Sequence, residues 1–176
     1  MYKTNHVISG FTLVELMLTV AIIGIVLGIG LPSFQSMMIN NRLTAQANSL
    51  VGALNLARSE SIKRNKLVVV GKTGTNWKDG WEVFQDLNAD GSSTGEEVFH
   101  TYEAISSNDL KFSFFPTSKF ISYRPDGRSD HNGSFFLCSP ASEAKFKRIV
   151  LSTSGRIRTE NQDTATDSKT YANDCT

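Results

Sequence analysis

From Leu16 to Asn41 the sequence carries no charged side chain, and from Leu16 to Leu31 it is almost wholly apolar. That absence excludes an ordinary solvated surface helix, and the run is about as long as a helix needs to cross a bilayer core. Cysteine is scarce, with only Cys138 and Cys175. Two thiols and three scattered histidines supply too few ligands for a structural metal centre. An even pair in an exported domain reads instead as one disulfide tying down the C-terminal tail. Net charge is also lacking, 18 Lys+Arg standing against 17 Asp+Glu. Any nucleic acid or acidic partner must therefore be met by a local patch, because the global field is weak.

The apolar run has an unusual border. Glu15 sits at its membrane edge, where a buried carboxylate costs several kcal/mol unless it finds a partner. The polar leader Met1–Gly10 ends before the run, whereas an ordinary secretory signal is cut after it. A cut after Gly10 would free the amine of Phe11 and keep the helix. That amine is a natural partner for Glu15, most usefully the Glu15 of a neighbouring copy in a helical bundle. Lys3 is the only formally charged side chain of the leader, which favours a cytoplasmic leader and an exported body.

Gly24, Gly28, Gly30 and Pro32 interrupt the run's outer half, where a kink or melted stretch is expected. Beyond it, Leu43, Ala47, Leu50, Leu54 and Ala57 form one apolar stripe among polar residues, the pattern of an amphipathic helix. Lys63, Arg64 and Lys66 suit the negative C-terminal end of that helix. Strand character follows at Lys66–Val70, Trp81–Gln85, Val98–Tyr102, Leu110–Phe115, Phe120–Tyr123, Ser134–Cys138, Lys147–Ser152 and Arg156–Thr159, with turn clusters between. The fold class is therefore α+β: a long N-terminal helix, half transmembrane and half amphipathic, packed against antiparallel sheet. The expected division is a leader over 1–10, an assembly half of the helix over 11–31, an amphipathic half over 32–64 and a β-rich periplasmic domain over 65–176.

Gly10-Phe11-Thr12-Leu13-Val14-Glu15 resembles the processing site of type IV pilins and type II secretion pseudopilins. The resemblance implies a prepilin peptidase that cleaves after Gly10 and methylates Phe11. It also implies that Glu15 pairs with another subunit's new N-terminus. A narrower resemblance is carried by Asn41-Arg42-Leu43 with Leu56–Arg64, by Gly80-Trp81-Glu82-Val83-Phe84 with Asp86–Gly91, and by Gly155-Arg156-Ile157-Arg158. These look like FimT/GspH-type minor pilins and pseudopilins, over Gly10 to about Arg158. The resemblance implies a pilin-like subunit near a fibre tip, held first in the inner membrane as a single-pass protein and later in a pilus at the cell surface. Its partners would be major and minor pilins, and the rival of the same build is a type II secretion pseudopilin. No cofactor is implied, and nothing argues for an enzyme.

Two further groups bear on function. Asp86, Asn88 and Asp90, with Gly91 and Glu97, have the spacing of an EF-hand calcium loop. Strand-like flanks stand where helices should be, so the expected reading is a hairpin turn, which also favours Asp, Asn and Gly. The basic group is Lys145, Lys147, Arg148, Arg156 and Arg158. Alternation puts Arg156 and Arg158 on one face, about 7 Å apart, close to the phosphate spacing of a nucleic-acid strand. Among FimT-like minor pilins a Gly-Arg-x-Arg motif is associated with capture of double-stranded DNA in natural transformation, and it maps here to Gly155, Arg156 and Arg158. The alternative is that these arginines pair with Glu160, Asp163 or Asp167 along an edge strand.

Overall fold

A computed structural model describes residues 10–105, 111–115, 118–138 and 146–162. The chain divides into two compact units, residues 1–38 and 39–176. Helix α1 (Leu13–Arg64) is 52 residues long and contains Pro32. The expected melted stretch is not seen: the helix is unbroken through Gly24, Gly28, Gly30 and Pro32. Proline removes one backbone donor, and nearby hydroxyls add bonds to helix carbonyls. Ser33 Oγ donates to the Ile29 carbonyl at 3.3 Å and Ser36 Oγ to that of Pro32 at 3.1 Å. The helix stops at Asn65, which adopts a left-handed φ of 53°. Lys66 N–H bonds the Ser61 carbonyl at 3.2 Å and Asn65 N–H that of Ile62 at 3.4 Å, the paired bonds of a Schellman cap.

Among the described residues of the second unit, eight strands make two antiparallel sheets. Strands β1 (Val68–Lys72), β2 (Trp81–Gln85), β3 (Val98–Tyr102) and β5 (Phe120–Tyr123) form one, in the order β3-β2-β1-β5. Strands β4 (Lys111–Phe115), β6 (Gly133–Cys138), β7 (Phe146–Leu151) and β8 (Ile157–Gln162) form the other, in the order β4-β6-β7-β8. The expected helix stripe, Leu43, Ala47, Leu50, Leu54 and Ala57, is buried, together with Ala53. It shares one core with Val68, Val70, Val83, Ile121 and Tyr123 of the first sheet and Phe135, Leu137, Ile149 and Leu151 of the second. On the opposite face of the second sheet Phe136, Cys138 and Phe146 form a smaller buried cluster. Cys138 is disulfide-bonded; Cys175, the other cysteine of the sequence, lies outside the described residues.

The β2–β3 loop, Asp86 to Glu97, folds back over the outer face of the first sheet. A side chain at Gly91 would run into the Phe120 ring, and Ser93 Oγ bonds the Glu82 carboxylate. Val69 and Phe84, which point to that face, are thereby at most 1% exposed.

Candidate functional site

At the N-terminus, every residue from Gly10 to Met38 is exposed, Phe11 at 78%. Thr12 and Glu15 open α1 as a capping box: Glu15 N–H donates to Thr12 Oγ1 at 3.3 Å, and Thr12 N–H to Glu15 Oε2 at 3.5 Å. These bonds are long and exposed, so they leave the carboxylate open to a stronger partner. The positive end of the helix dipole favours an anion there. This helix is long and apolar enough to cross a membrane.

The basic group is split by the sheet. The β7–β8 register pairs Val150 with Arg158 and Arg148 with Glu160, so Arg148, Val150, Arg158 and Glu160 share one face. Lys147 stands on the other face, that of Ile149 and Leu151, by the alternation of the strand. Arg148 is only partly exposed. Its Nε donates to Ser134 Oγ at 3.0 Å, its Nη1 meets Glu160 Oε2 at 3.3 Å, and it lies 5.7 Å from the Phe136 ring centre. Arg158 Nη2 reaches the same carboxylate, Glu160 Oε1, at 3.5 Å. Of the four expected basic residues that are described, Arg156 and Arg158 stand exposed near the turn while Lys147 and Arg148 are half-buried. Lys145 lies outside the described residues, as do Asp163 and Asp167. Arg156 precedes β8 instead of opening it, and β8 runs on to Gln162, past the expected end at Thr159.

Gly155 has a structural duty as well. It is buried with a φ of 76°, and a side chain there would strike the Gly127 carbonyl. Arg58, a residue the sequence reading did not single out for a role, clamps these two turns. From α1 its Nε donates to the Gly127 carbonyl at 3.0 Å and its Nη2 to that of Ser154 at 3.4 Å. The available signal was an arginine one position beyond Ala57 of the buried stripe, together with glycine turns needing a donor for their carbonyls. Beneath, burial pushes the Tyr123 phenol well above its ordinary range, with the Arg58 charge opposing.

Two further polar clusters have structural roles. Arg64 bonds Glu60 at 2.6 Å and Glu97 at 2.9 Å and covers the Phe99 ring at 4.2 Å. The Arg64 hydrogen bond holds the Glu60 carboxyl below its ordinary value. His131 Nδ1 accepts the Ser122 backbone N–H at 3.3 Å, and burial lowers its pKa against the pull of Asp130. Asp130 bonds Ser122 Oγ at 3.1 Å, not the imidazole, so Ser122, Asp130 and His131 are not ordered as a hydrolytic triad.

A family model described as type II transport protein GspH matches residues 46–155, and one described as the prokaryotic N-terminal methylation motif matches residues 6–31. A fimbrial protein of Pseudomonas aeruginosa is 37% identical over 87 residues, 48% of this chain and 56% of that protein. The pilin-like protein PilA1 of Thermus thermophilus is 36% identical over 96 residues, 53% of this chain and 58% of the relative. The chain thus spans little more than half the length of these curated relatives. The crystal structure of the type IV minor pilin FimU of Pseudomonas aeruginosa matches with a TM-score of 0.61 at 17% identity, covering 71% of this chain and 96% of that one. At that identity the likeness is one of fold.

Proposed function

Since the chain belongs to the GspH family of pilin-like structural proteins, which are not enzymes, we propose that it is a minor pilin incorporated near the tip of a type IV pilus and aiding its assembly. The observation that carries this reading is the first unit: an exposed apolar helix behind a methylation motif, with Glu15 only loosely capped at its start. In this reading residues 1–10 are a leader removed after Gly10 by prepilin peptidase, and Phe11 is methylated. Residues 11–31 hold the subunit in the inner membrane and then in the fibre, and residues 32–64 carry the body over 65–176 on the periplasmic side. Glu15 meets the Phe11 amine of a neighbouring pilin in a low-dielectric bundle. Cys138 is joined to Cys175 across the tail.

A second reading, a pseudopilin of a type II secretion system, is favoured by the description of the family model itself. A further role within the first reading is non-specific capture of double-stranded DNA by Arg156 and Arg158, supported by their exposure beside the Gly155 turn. Deleting the gene and scoring piliation, protein secretion and transformation in one strain separates the three. Lost piliation with intact secretion supports the pilin, and the converse overturns it in favour of the pseudopilin.

A further inference from the structure

The Asp86–Glu97 loop is a hairpin turn, as its strand-like flanks imply, yet it contains oxygens that a turn alone does not use. Asp86 is 3% exposed. Its Oδ2 accepts Gly91 N–H at 2.9 Å, while its Oδ1 is buried with no hydrogen-bond partner among the described residues. Glu96 reaches back to the same end of the loop, its Oε1 accepting Leu87 N–H at 3.2 Å. Its other oxygen, Oε2, is likewise buried without a partner. An unpartnered carboxylate oxygen is costly to bury, and this loop buries two of them. The backbone is already shaped: Ala89 and Gly91 take left-handed φ angles of 60° and 72°, and Gly91 is pressed against the Phe120 ring, where no side chain fits.

We propose that this loop binds one calcium ion, with Glu96 and not Glu97 as the closing carboxylate. The spacing that suggested Glu97 fails because Glu97 is exposed and paired with Arg64 at 2.9 Å. The ligands are Asp86 Oδ1, the Asn88 amide oxygen, the Asp90 carboxylate, the Ser92 carbonyl and Glu96 Oε2, with water completing the shell. Hard oxygen donors, several of them neutral, are what calcium takes in six- to eight-fold coordination. Among the described residues no three acidic, histidine or cysteine side chains are grouped as they stand to hold an ion. Binding therefore draws Asp90 inward, at the expense of its 2.9 Å bond from the Asn88 amide. A site needing that adjustment belongs with the weak extracellular class, with a Kd of roughly 0.1–1 mM. Magnesium, which needs a stricter octahedron and sheds water reluctantly, is excluded.

The test uses the full-length chain in detergent, stripped of divalent ions and dialysed to equilibrium against radioactive calcium, with melting followed in parallel. Saturable binding of about one ion per chain is expected, with a Tm that rises with calcium and not with magnesium. Asp90→Asn and Glu96→Gln should each weaken binding at least tenfold, and Glu97→Gln should leave it unchanged. Both amides can still accept the loop's N–H groups, and an unchanged near-ultraviolet circular dichroism spectrum in chelator verifies that they do. The proposal is overturned by no saturable uptake up to about 10 mM, by an equal response to magnesium, or by Glu96→Gln binding like the parent.

Discussion

Within one helix, residues 13–38 and residues 39–64 solve opposite problems. The first stretch leaves every side chain exposed, Ile22 and Leu27 still at 52% and 51%. The second buries Leu43, Leu50 and Leu54 at 1% or less against two sheets. The difference lies in where the apolar partner comes from. The second stretch has an apolar stripe that the chain itself covers, so polar residues fill the rest of its circumference. The first is almost wholly apolar from Leu16 to Leu31 and has no cover from the described residues of its own chain, a surface suited to lipid or to other helices. A Cα trace would show one helix; the burial pattern divides it into an exposed stretch and a stretch covered by the chain's own sheets.

The sharpest way to break that comparison is at its front. Gly10→Val should leave an uncleaved precursor, and Glu15→Ala should be cleaved yet absent from sheared fibres, both visible by immunoblot. Neither should move the melting of the body. Assembly of Glu15→Ala at parental levels would remove the role assigned to that carboxylate.

Next in size is the core of the second stretch. Leu54→Ala should destabilise the protein by about 2–5 kcal/mol, since it leaves a cavity between helix and sheets. Ile22→Ala should cost almost nothing in the same denaturation experiment. Equal losses would mean that the first stretch is packed by its own chain after all.

Gly155→Ala should come third, costing roughly 1–3 kcal/mol for the strained backbone alone and more for the collision with the Gly127 carbonyl. Denaturant titration measures it. The contrast with Arg156 is informative, because that exposed neighbour should tolerate Gln with no measurable loss of stability. The doubly substituted Arg156→Gln, Arg158→Gln chain should instead bind duplex DNA more weakly, with a salt dependence shallower by about two. Binding equal to the parent at low salt would dismiss the DNA role and leave Gly155 as a packing residue.

How legible this was from the sequence varies by element. Trp81–Gln85, Val98–Tyr102 and Phe120–Tyr123 were readable to the residue, because alternation and bounding turns are local properties. The partition into two sheets was not. β4 and β5 are consecutive yet join different sheets, β5 lying beside β1 some fifty residues earlier, and pairing over that distance leaves no local mark. The same holds for Gly155, which meets Gly127 only through the tertiary fold, and for Arg148, whose exposure is reduced by Ser134 and Glu160. Lys147 and Arg148 are neighbours in sequence, but alternation sets them on opposite faces, and which face meets the core depends on the register. The calcium motif was visible from its spacing, but the pairing of Glu97 with Arg64 and the buried oxygens of Asp86 and Glu96 were not.

The smallest expected effect tests the body's pH response. His131 Nδ1 accepts the Ser122 backbone N–H on edge strand β5, so a proton on that nitrogen would break the bond and place a charge in a half-buried site. Burial accordingly lowers its pKa below the ordinary 6.5, although Asp130 pulls the other way. With the folded pKa depressed, the unfolded chain takes up the proton first as pH falls. The contribution is therefore present above about pH 6.5 and is lost as pH drops through and below that value. Asp130 is itself shared with Arg124, which limits how far it can rescue the charged imidazole. Between pH 7.5 and 5.5 the parent should lose roughly 1–3 °C more in Tm than His131→Gln, whose amide can accept the same N–H without titrating. Parallel Tm profiles for the two proteins would mean that the imidazole stays as accessible to protons in the fold as in the unfolded chain.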